Sequence, residues 1–190
     1  FHVNVPAGAT TLEADYQFTS AVEASEGRVV MTPAMLNLQW TAMALYPAGY
    51  FARQIPVEAS MRLPEGWQFA TALETQSTSA GLTTFKPVPL ETLMDSPVFA
   101  GRYFKRLDLD PGGAAPIYLD IVADRAELLE VKPEQLDGHR ALVQQAYKLY
   151  GSHHYDHYDF LLALSDRMGG TGLEHHQSSE NATVPGYFTE

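Results

Sequence analysis

The sequence contains no cysteine, which excludes disulfide bonds and thiolate metal sites. Basic residues are also scarce: 12 lysines and arginines stand against 23 aspartates and glutamates, and the formal net charge is -11. That negative field repels phosphate backbones, so we expect no nucleic-acid partner. No apolar run approaches the roughly 20 residues that span a bilayer, so we also expect no membrane partner. The compartment stays open, because a chain without cysteine suits both a reducing cytosol and an exported, disulfide-free protein.

The first two thirds of the chain carry the pattern of β-structure. Residues 55–63 alternate apolar and polar side chains, residues 67–73 continue the alternation, and Pro64-Glu65-Gly66 supplies a turn, so we predict a hairpin. Frequent prolines argue against long helices. The pattern predicts an antiparallel β-sandwich of about seven to nine short strands over residues 1–123. Further candidate strands are residues 16–22, 29–31, 35–45, 83–88, 103–109 and 116–122.

The pattern changes after residue 123 to that of an α/β segment. A helix is predicted from Pro133 to Tyr150, because it opens with a first-turn proline and Gly151 follows as its C′ residue. The continuously apolar run 158–164 predicts a buried central strand. Residues 172–178 are short, polar and glycine-bearing, as is typical of an edge strand. We therefore predict a mainly β protein with two domains, residues 1–123 and residues 124–190.

The most unusual chemistry lies in residues 168–176, where three glycines precede a glutamate and two histidines. No H-E-x-x-H zinc motif and no phosphate-binding G-x-x-x-x-G-K-[ST] loop is present. An aromatic and histidine-rich run lies just upstream. Its imidazoles and carboxylates suit several divalent metals, although neighbouring loop positions rarely converge on one ion, so a solvated loop cluster and a metal site both stay open. The residues of that run that bear on this choice are His153, His154, Asp156, His157 and Asp159.

Residues 158–181, from Tyr-Asp-Phe-Leu-Leu-Ala-Leu through Gly-Leu-Glu-His-His to Ser-Ser-Glu-Asn, resemble the segment just before the catalytic helix of the glycyl aminopeptidase family of zinc metallopeptidases. Residues 93–98 resemble the stretch that joins that family's N-terminal domain to its later part. The resemblance implies a β-sandwich followed by the opening of a thermolysin-like catalytic domain, as helix, strand and edge strand. The zinc-binding helix and its catalytic residues would lie outside these 190 residues. Zinc, the remainder of the catalytic domain and a PDZ domain would belong to the parent protein.

By the same resemblance, the parent enzyme removes glycine or another small residue from peptides with a free N-terminus. Gly172, Leu173, Glu174 and His175 match the family's Gly-Leu-Glu-His substrate-binding strand. A fixed carboxylate at Glu174 would hold the terminal ammonium through a charge-assisted hydrogen bond, and the strand edge would pair with the peptide backbone. Gly172 would leave room for that peptide. His175 would orient Glu174, contact the substrate carbonyl, or simply pack.

Two further expectations follow from an opening segment without its zinc helix. The chain alone is expected to be inactive, with no catalytic or metal-binding residue of its own. The central strand 158–164 is expected to lack a covering helix and to promote self-association. The alternative is a non-enzymatic β-sandwich that acts as a binding or interaction module. The sequence that follows Glu190 separates the two hypotheses.

Overall fold

A computed structural model describes residues 2–189. Residues 2–101 contain eight short strands and two short helices. In chain order these are β1 Met35–Leu38, α1 Trp40–Met43, β2 Pro56–Val57, β3 Ser60–Arg62, β4 Gln68–Ala70, β5 Thr75–Ser79, β6 Leu82–Phe85, β7 Val88–Pro89, α2 Leu90–Met94 and β8 Val98–Gly101. They form three small antiparallel sheets with strand orders β1-β8-β4, β2-β7 and β3-β6-β5.

The second half builds one five-stranded sheet and the long helix. Its elements are β9 Tyr103–Asp108, β10 Ile117–Ala123, α3 Pro133–Tyr150, β11 Tyr158–Leu164, β12 Thr171–Glu174 and β13 Ser178–Thr183. The strand order is β12-β13-β11-β10-β9, with parallel pairs at the centre and an antiparallel strand at each edge. Single 3-10 turns occupy Ala52–Gln54, Ala126–Leu129 and Pro185–Phe188. The prediction of a mainly β fold with an α/β C-terminal part is confirmed.

The observed bounds of helix α3 and of the central strand equal the predicted ones. Helix α3 begins at Pro133, where Lys132 N–H donates to the Gln135 side chain, and it ends at Gly151, whose φ of 67° is left-handed. Strand β11 lies at the centre of its sheet. The division into domains at residue 123 stays a prediction. Strand β10, which precedes that boundary, pairs directly with β11, which follows it.

Several predicted strands are wrong. The hairpin of residues 55–63 with 67–73 does not form, because β3 pairs with β6 and β4 pairs with β8. Alternation of apolar and polar side chains sets which face of a strand is buried, but it does not choose the partner strand. Residues 16–22 form no strand, and most of them are exposed. Only Met35–Leu38 of residues 35–45 is a strand, since the chain turns into α1 at Trp40.

The central strands of the five-stranded sheet are covered on both faces. One face, called here the inner face, packs its Val122, Leu161 and Ala163 against Met35 and Phe99 of the β1-β8-β4 sheet. The opposite face, called the helix face, packs under α3 and the 3-10 turn at Pro185–Phe188. Residues that meet there include Leu119, Ile121, Val143, Leu162, Leu164 and Phe188. These two layers position β12 at the open edge of the sheet.

The expectation that β11 lacks a cover is wrong for most of its length. Leu161 and Leu164 are completely buried, and Leu162 is only 6% exposed. The strand opens only at its start, where Tyr158 and Phe160 are half-buried. The cover comes from α3 on one side and from the N-terminal sheet on the other. Among residues 2–189, no helix has the length and hydropathy required to cross a membrane.

Candidate functional site

Strand β12 forms one edge of the five-stranded sheet and pairs only with β13 among the described strands. Its register places Gly172 opposite Asn181 and Glu174 opposite Ser179. Because paired residues point to the same side of a sheet, the Glu174 side chain lies on the helix face. A Cβ added to Gly172 would meet no atom within 4 Å. The edge is therefore open to a further backbone.

Glu174 is exposed, and within residues 2–189 its carboxylate forms no hydrogen bond or ion pair. Its neighbour on the helix face is Tyr158, whose hydroxyl donates to the Ser178 carbonyl at 2.9 Å. Burial raises the pKa of Tyr158, and the negative charge of Glu174 raises it further. The structure thus presents a solvated carboxylate beside an aromatic surface.

Leu173 and His175 point the other way, to the inner face, so the four predicted site residues divide into two pairs. Leu173 is 48% exposed, whereas only 7% of the His175 side chain is exposed. The Nδ1 atom of His175 lies 3.0 Å from Asp95 Oδ1, and its Nε2 lies 3.6 Å from Glu180 Oε1. In this structure His175 faces the N-terminal sheets and not the open side of Glu174.

Asp95 follows α2 and holds the turn after β12. Besides the His175 ring it accepts the backbone N–H of His176 at 2.9 Å, and the His176 ring lies 2.8 Å from its Oδ2. Burial alone would raise the pKa of Asp95, but these hydrogen bonds outweigh it and lower that pKa. The Asp95 carboxylate, from the N-terminal half of the chain, therefore contacts the residues that directly follow β12.

Glu180 is a buried residue of the site region that the sequence did not indicate. Its side chain is completely buried, and its Oε2 accepts hydrogen bonds from Asn37 Nδ2 at 2.8 Å, Gln39 Nε2 at 2.8 Å and Arg28 Nη2 at 3.3 Å. The polar run Ser178–Thr183 resembles a loop in sequence, although it forms β13. Nothing in the local sequence distinguishes Glu180 from a solvated residue.

The helix face also carries an aromatic cavity of about 560 Å³ between α3 and the start of β11. Its walls include Tyr147, Tyr150, Tyr155, Tyr158 and Phe160. Two histidines of the upstream run line the same cavity, and each makes a ring contact with a backbone carbonyl: His153 with Tyr155 and His154 with His176. The third, His157, contacts Asp159 at 2.8 Å.

Zinc has no donor set within residues 2–189, because no three His, Asp or Glu side chains of that range converge in a metal-binding arrangement. The described residues do not fit a zinc ion, so no chemical step through zinc is assigned to them. What the edge strand presents is an open backbone edge and the exposed carboxylate of Glu174.

A second buried charged cluster crosses strands β9 to β11 on the inner face. Arg106 donates to both carboxylate oxygens of Asp120, at 2.6 and 2.9 Å, and to Asp159 at 2.9 Å. Burial raises the pKa of Asp120 to about 7, although Arg106 opposes that rise. The hydrogen bond to Asp159 raises the pKa of His157, against the effect of its partial burial.

The chain combines an N-terminal half of small antiparallel sheets with a mixed five-stranded sheet whose edge strand β12 is open. Residues 1–102, more than half of the chain, match the peptidase M61 N-terminal domain. The chain therefore belongs to the peptidase M61 family. A search of curated protein sequences found no match.

Solved structures resemble this fold. An aminopeptidase N family protein from Idiomarina loihiensis is 18% identical with a TM-score of 0.63, and the match covers 82% of this chain and 26% of that protein. A variant M1 zinc metallopeptidase from Deinococcus radiodurans, bound to a Tyr-Ser-Ala substrate, is 16% identical with a TM-score of 0.40, covering 71% of this chain and 30% of that one. Yeast LTA4 hydrolase is 15% identical with a TM-score of 0.39, covering 66% of this chain and 18% of its own. The chain thus spans about a quarter of the length of the aminopeptidase N family protein.

Proposed function

We propose that this chain is the front part of a zinc-dependent aminopeptidase of the glycyl aminopeptidase type, which removes glycine or another small residue from peptide N-termini. The observation that carries the proposal is the open edge of β12, with the exposed, unpaired carboxylate of Glu174 on the helix face. Membership of a peptidase family supports it. The zinc helix, the rest of the catalytic domain and a PDZ domain belong to the parent protein.

In this proposal the substrate backbone adds to the outer edge of β12 as a further strand. Gly172 has open space where a side chain would project, so the peptide approaches closely there. Glu174 accepts a charge-assisted hydrogen bond from the terminal ammonium and so selects peptides with a free N-terminus. Leu173 and His175 lie on the inner face, and the buried His175 side chain supports the strand from that side. His175 is therefore assigned an orienting role and no contact with the substrate carbonyl.

The parent protein supplies the zinc ion, which would polarise the scissile carbonyl and activate a water molecule. This chain supplies binding and orientation of the amino end, and we expect it to hydrolyse no peptide by itself. Addition of zinc to the 190-residue chain should leave it inactive on a glycine anilide. Measurable turnover by the purified chain would contradict the assignment of catalysis to the rest of the parent protein.

The first test is to read the gene beyond Glu190. The proposal expects an H-E-x-x-H within several tens of residues and a downstream glutamate. A stop codon, or a continuation without that motif, would overturn the peptidase proposal and favour the non-enzymatic binding module. That alternative keeps the open edge of β12 as a peptide-binding surface without cleavage.

The second test measures the carboxylate itself in the full-length protein. A charge-assisted hydrogen bond contributes about 1.5–3 kcal/mol, so Glu174→Gln should lower kcat/KM on a glycine anilide about 10- to 100-fold. Glu134→Gln, at an exposed position in the first turn of α3, is the matched control and should leave kcat/KM unchanged. Equal kcat/KM for Glu174→Gln and wild type would remove Glu174 from the substrate site.

A further inference from the structure

Three buried side-chain polar atoms of residues 2–189 have no hydrogen-bond partner: Ser178 Oγ, His175 Nε2 and Glu180 Oε1. The last two face each other where β12 meets the N-terminal sheets, and both are shielded from solvent. They lie 3.6 Å apart. An unsatisfied buried polar atom is costly, so a pair that faces each other requires a physical explanation.

The other contacts of the two side chains fix where hydrogens must lie. The carboxylate of Asp95 is an acceptor, so His175 Nδ1, 3.0 Å away, carries a hydrogen. Glu180 Oε2 accepts from three donors, which is the environment of an ionised carboxylate. If His175 Nε2 were bare, its lone pair would point at the negatively charged Oε1.

A hydrogen on Nε2 converts that repulsion into an ionic attraction across 3.6 Å. It also balances the charges that meet there. Asp95 and Glu180 contribute two negative charges, and among the buried contacts Arg28 contributes only one positive charge, since the His176 ring that also contacts Asp95 is 84% exposed to solvent. A positively charged His175 makes the group of four neutral, which a buried location favours.

We infer that His175 is a doubly protonated imidazolium that bridges Asp95 and Glu180 and fastens the end of β12 to the N-terminal half of the chain. His175 follows Glu174 directly, and its backbone N–H donates to the Ser178 carbonyl at 2.9 Å, so the bridge also secures the pairing of β12 with β13. His175 and Glu180 are thus positioning residues for Glu174. The consequence for catalysis rests on the proposed function, whereas the bridge itself does not.

The protonation state is measured directly by long-range hydrogen–nitrogen NMR of the ¹⁵N-labelled 190-residue chain near pH 7. Both ring nitrogens of His175 should carry hydrogens in the wild type, with His175→Gln used to assign the signal. Glu180→Gln should remove the hydrogen from Nε2. Glu91→Gln, which alters an exposed carboxylate of α2, should leave the ring doubly protonated. A singly protonated His175 ring in the wild type would overturn the inference.

Hydrogen exchange tests the positioning role. Loss of a buried charged partner should shift local opening of β12 about tenfold, so the His175 amide should exchange about tenfold faster in Glu180→Gln than in the wild type or in Glu91→Gln. If Glu180→Gln does not fold, the Leu173 amide in His175→Gln gives the same readout. Unchanged exchange of these amides would refute the role.

Kinetics of the full-length protein separate this inference from the proposed function. A positioning role predicts that Glu180→Gln raises KM for a glycine anilide about tenfold with a smaller change in kcat. An unchanged KM would contradict positioning of Glu174, even if Glu174→Gln itself is impaired. If instead Glu174→Gln has normal kinetics, the proposed function fails, and the NMR and exchange results still decide whether the bridge exists.

Discussion

Removal of Arg106 should destabilise the fold more than removal of an arginine, such as Arg53, whose ion pair is exposed. Its guanidinium holds Asp120, which is completely buried, and Asp159, which is 3% exposed. Breaking a buried pair by deleting one partner costs about 3–5 kcal/mol. The Arg106 side chain is 43% exposed, so water offsets part of that cost, and we expect Arg106→Met to lower the free energy of unfolding by about 2–3 kcal/mol. For a chain of this size, that is a fall in Tm of about 5–10 °C.

Urea unfolding at pH 8 and pH 5 measures the effect and tests its electrostatic cause. Without Arg106, the two carboxylates repel each other in a buried site at pH 8. Burial already raises the pKa of Asp120 to about 7, and loss of the opposing Arg106 charge raises it further, so a neutral Asp120 at pH 5 relieves that repulsion. The loss in Arg106→Met should therefore be smaller at pH 5 than at pH 8. Arg53→Met, which removes an ion pair exposed on both sides, should cost at most about 0.5 kcal/mol. The reasoning would be refuted if Arg106→Met lowered the free energy of unfolding no more than Arg53→Met, or by the same amount at pH 5 and pH 8.

Three further measurements check other parts of the structure. The raised pKa of His157 contributes stability that is complete below pH 6.5 and is lost as the pH rises through the folded-state pKa. The free energy of unfolding should therefore fall from pH 6 to pH 8, and His157→Gln should make that fall smaller. An unchanged fall in His157→Gln would exclude His157 as its source. Leu161→Ala should lower the free energy of unfolding in urea by about 2–5 kcal/mol, because Leu161 is completely buried between two sheets. Leu149→Ala, at a 75% exposed position, should lower it by less than about 0.5 kcal/mol, and equal losses for the two variants would contradict the packing. Gly151→Ala should lower stability by about 1 kcal/mol, since its left-handed φ of 67° strains any side chain, and no loss in thermal unfolding would contradict that C-cap.

Elements whose sequence pattern is local and strong could be predicted with their bounds. Helix α3 combines a first-turn proline with a terminal glycine, and β11 is an unbroken apolar run, so each is specified by its own residues. The edge position of β12 also agrees with its short, glycine-bearing sequence. Partner choice could not be read from the chain. The turn at residues 64–66 predicted a hairpin, yet long-range packing assigns β3 and β4 to different sheets.

Only part of the candidate site could be predicted from the sequence. Glu174 and Gly172 stand in a recognisable glycine-rich strand, and the structure places both on the open helix face. The supporting contacts come from residues far away along the chain. Asp95 lies 80 positions before His175, and Asn37 lies 143 positions before Glu180, so no local pattern could connect them. Strand β13 was missed because its buried residues Ser178–Glu180 are polar, and burial of such residues depends on partners that only the fold supplies.

The most direct test of the central claim is a structure of the full-length protein with a non-hydrolysed glycyl peptide. The account predicts that the peptide backbone pairs with the outer edge of β12, close to Gly172. It also predicts that the terminal ammonium lies at about 3 Å from the carboxylate of Glu174, the distance of a charge-assisted hydrogen bond. A peptide whose amino end binds away from β12, with Glu174 still in solvent, would contradict the account.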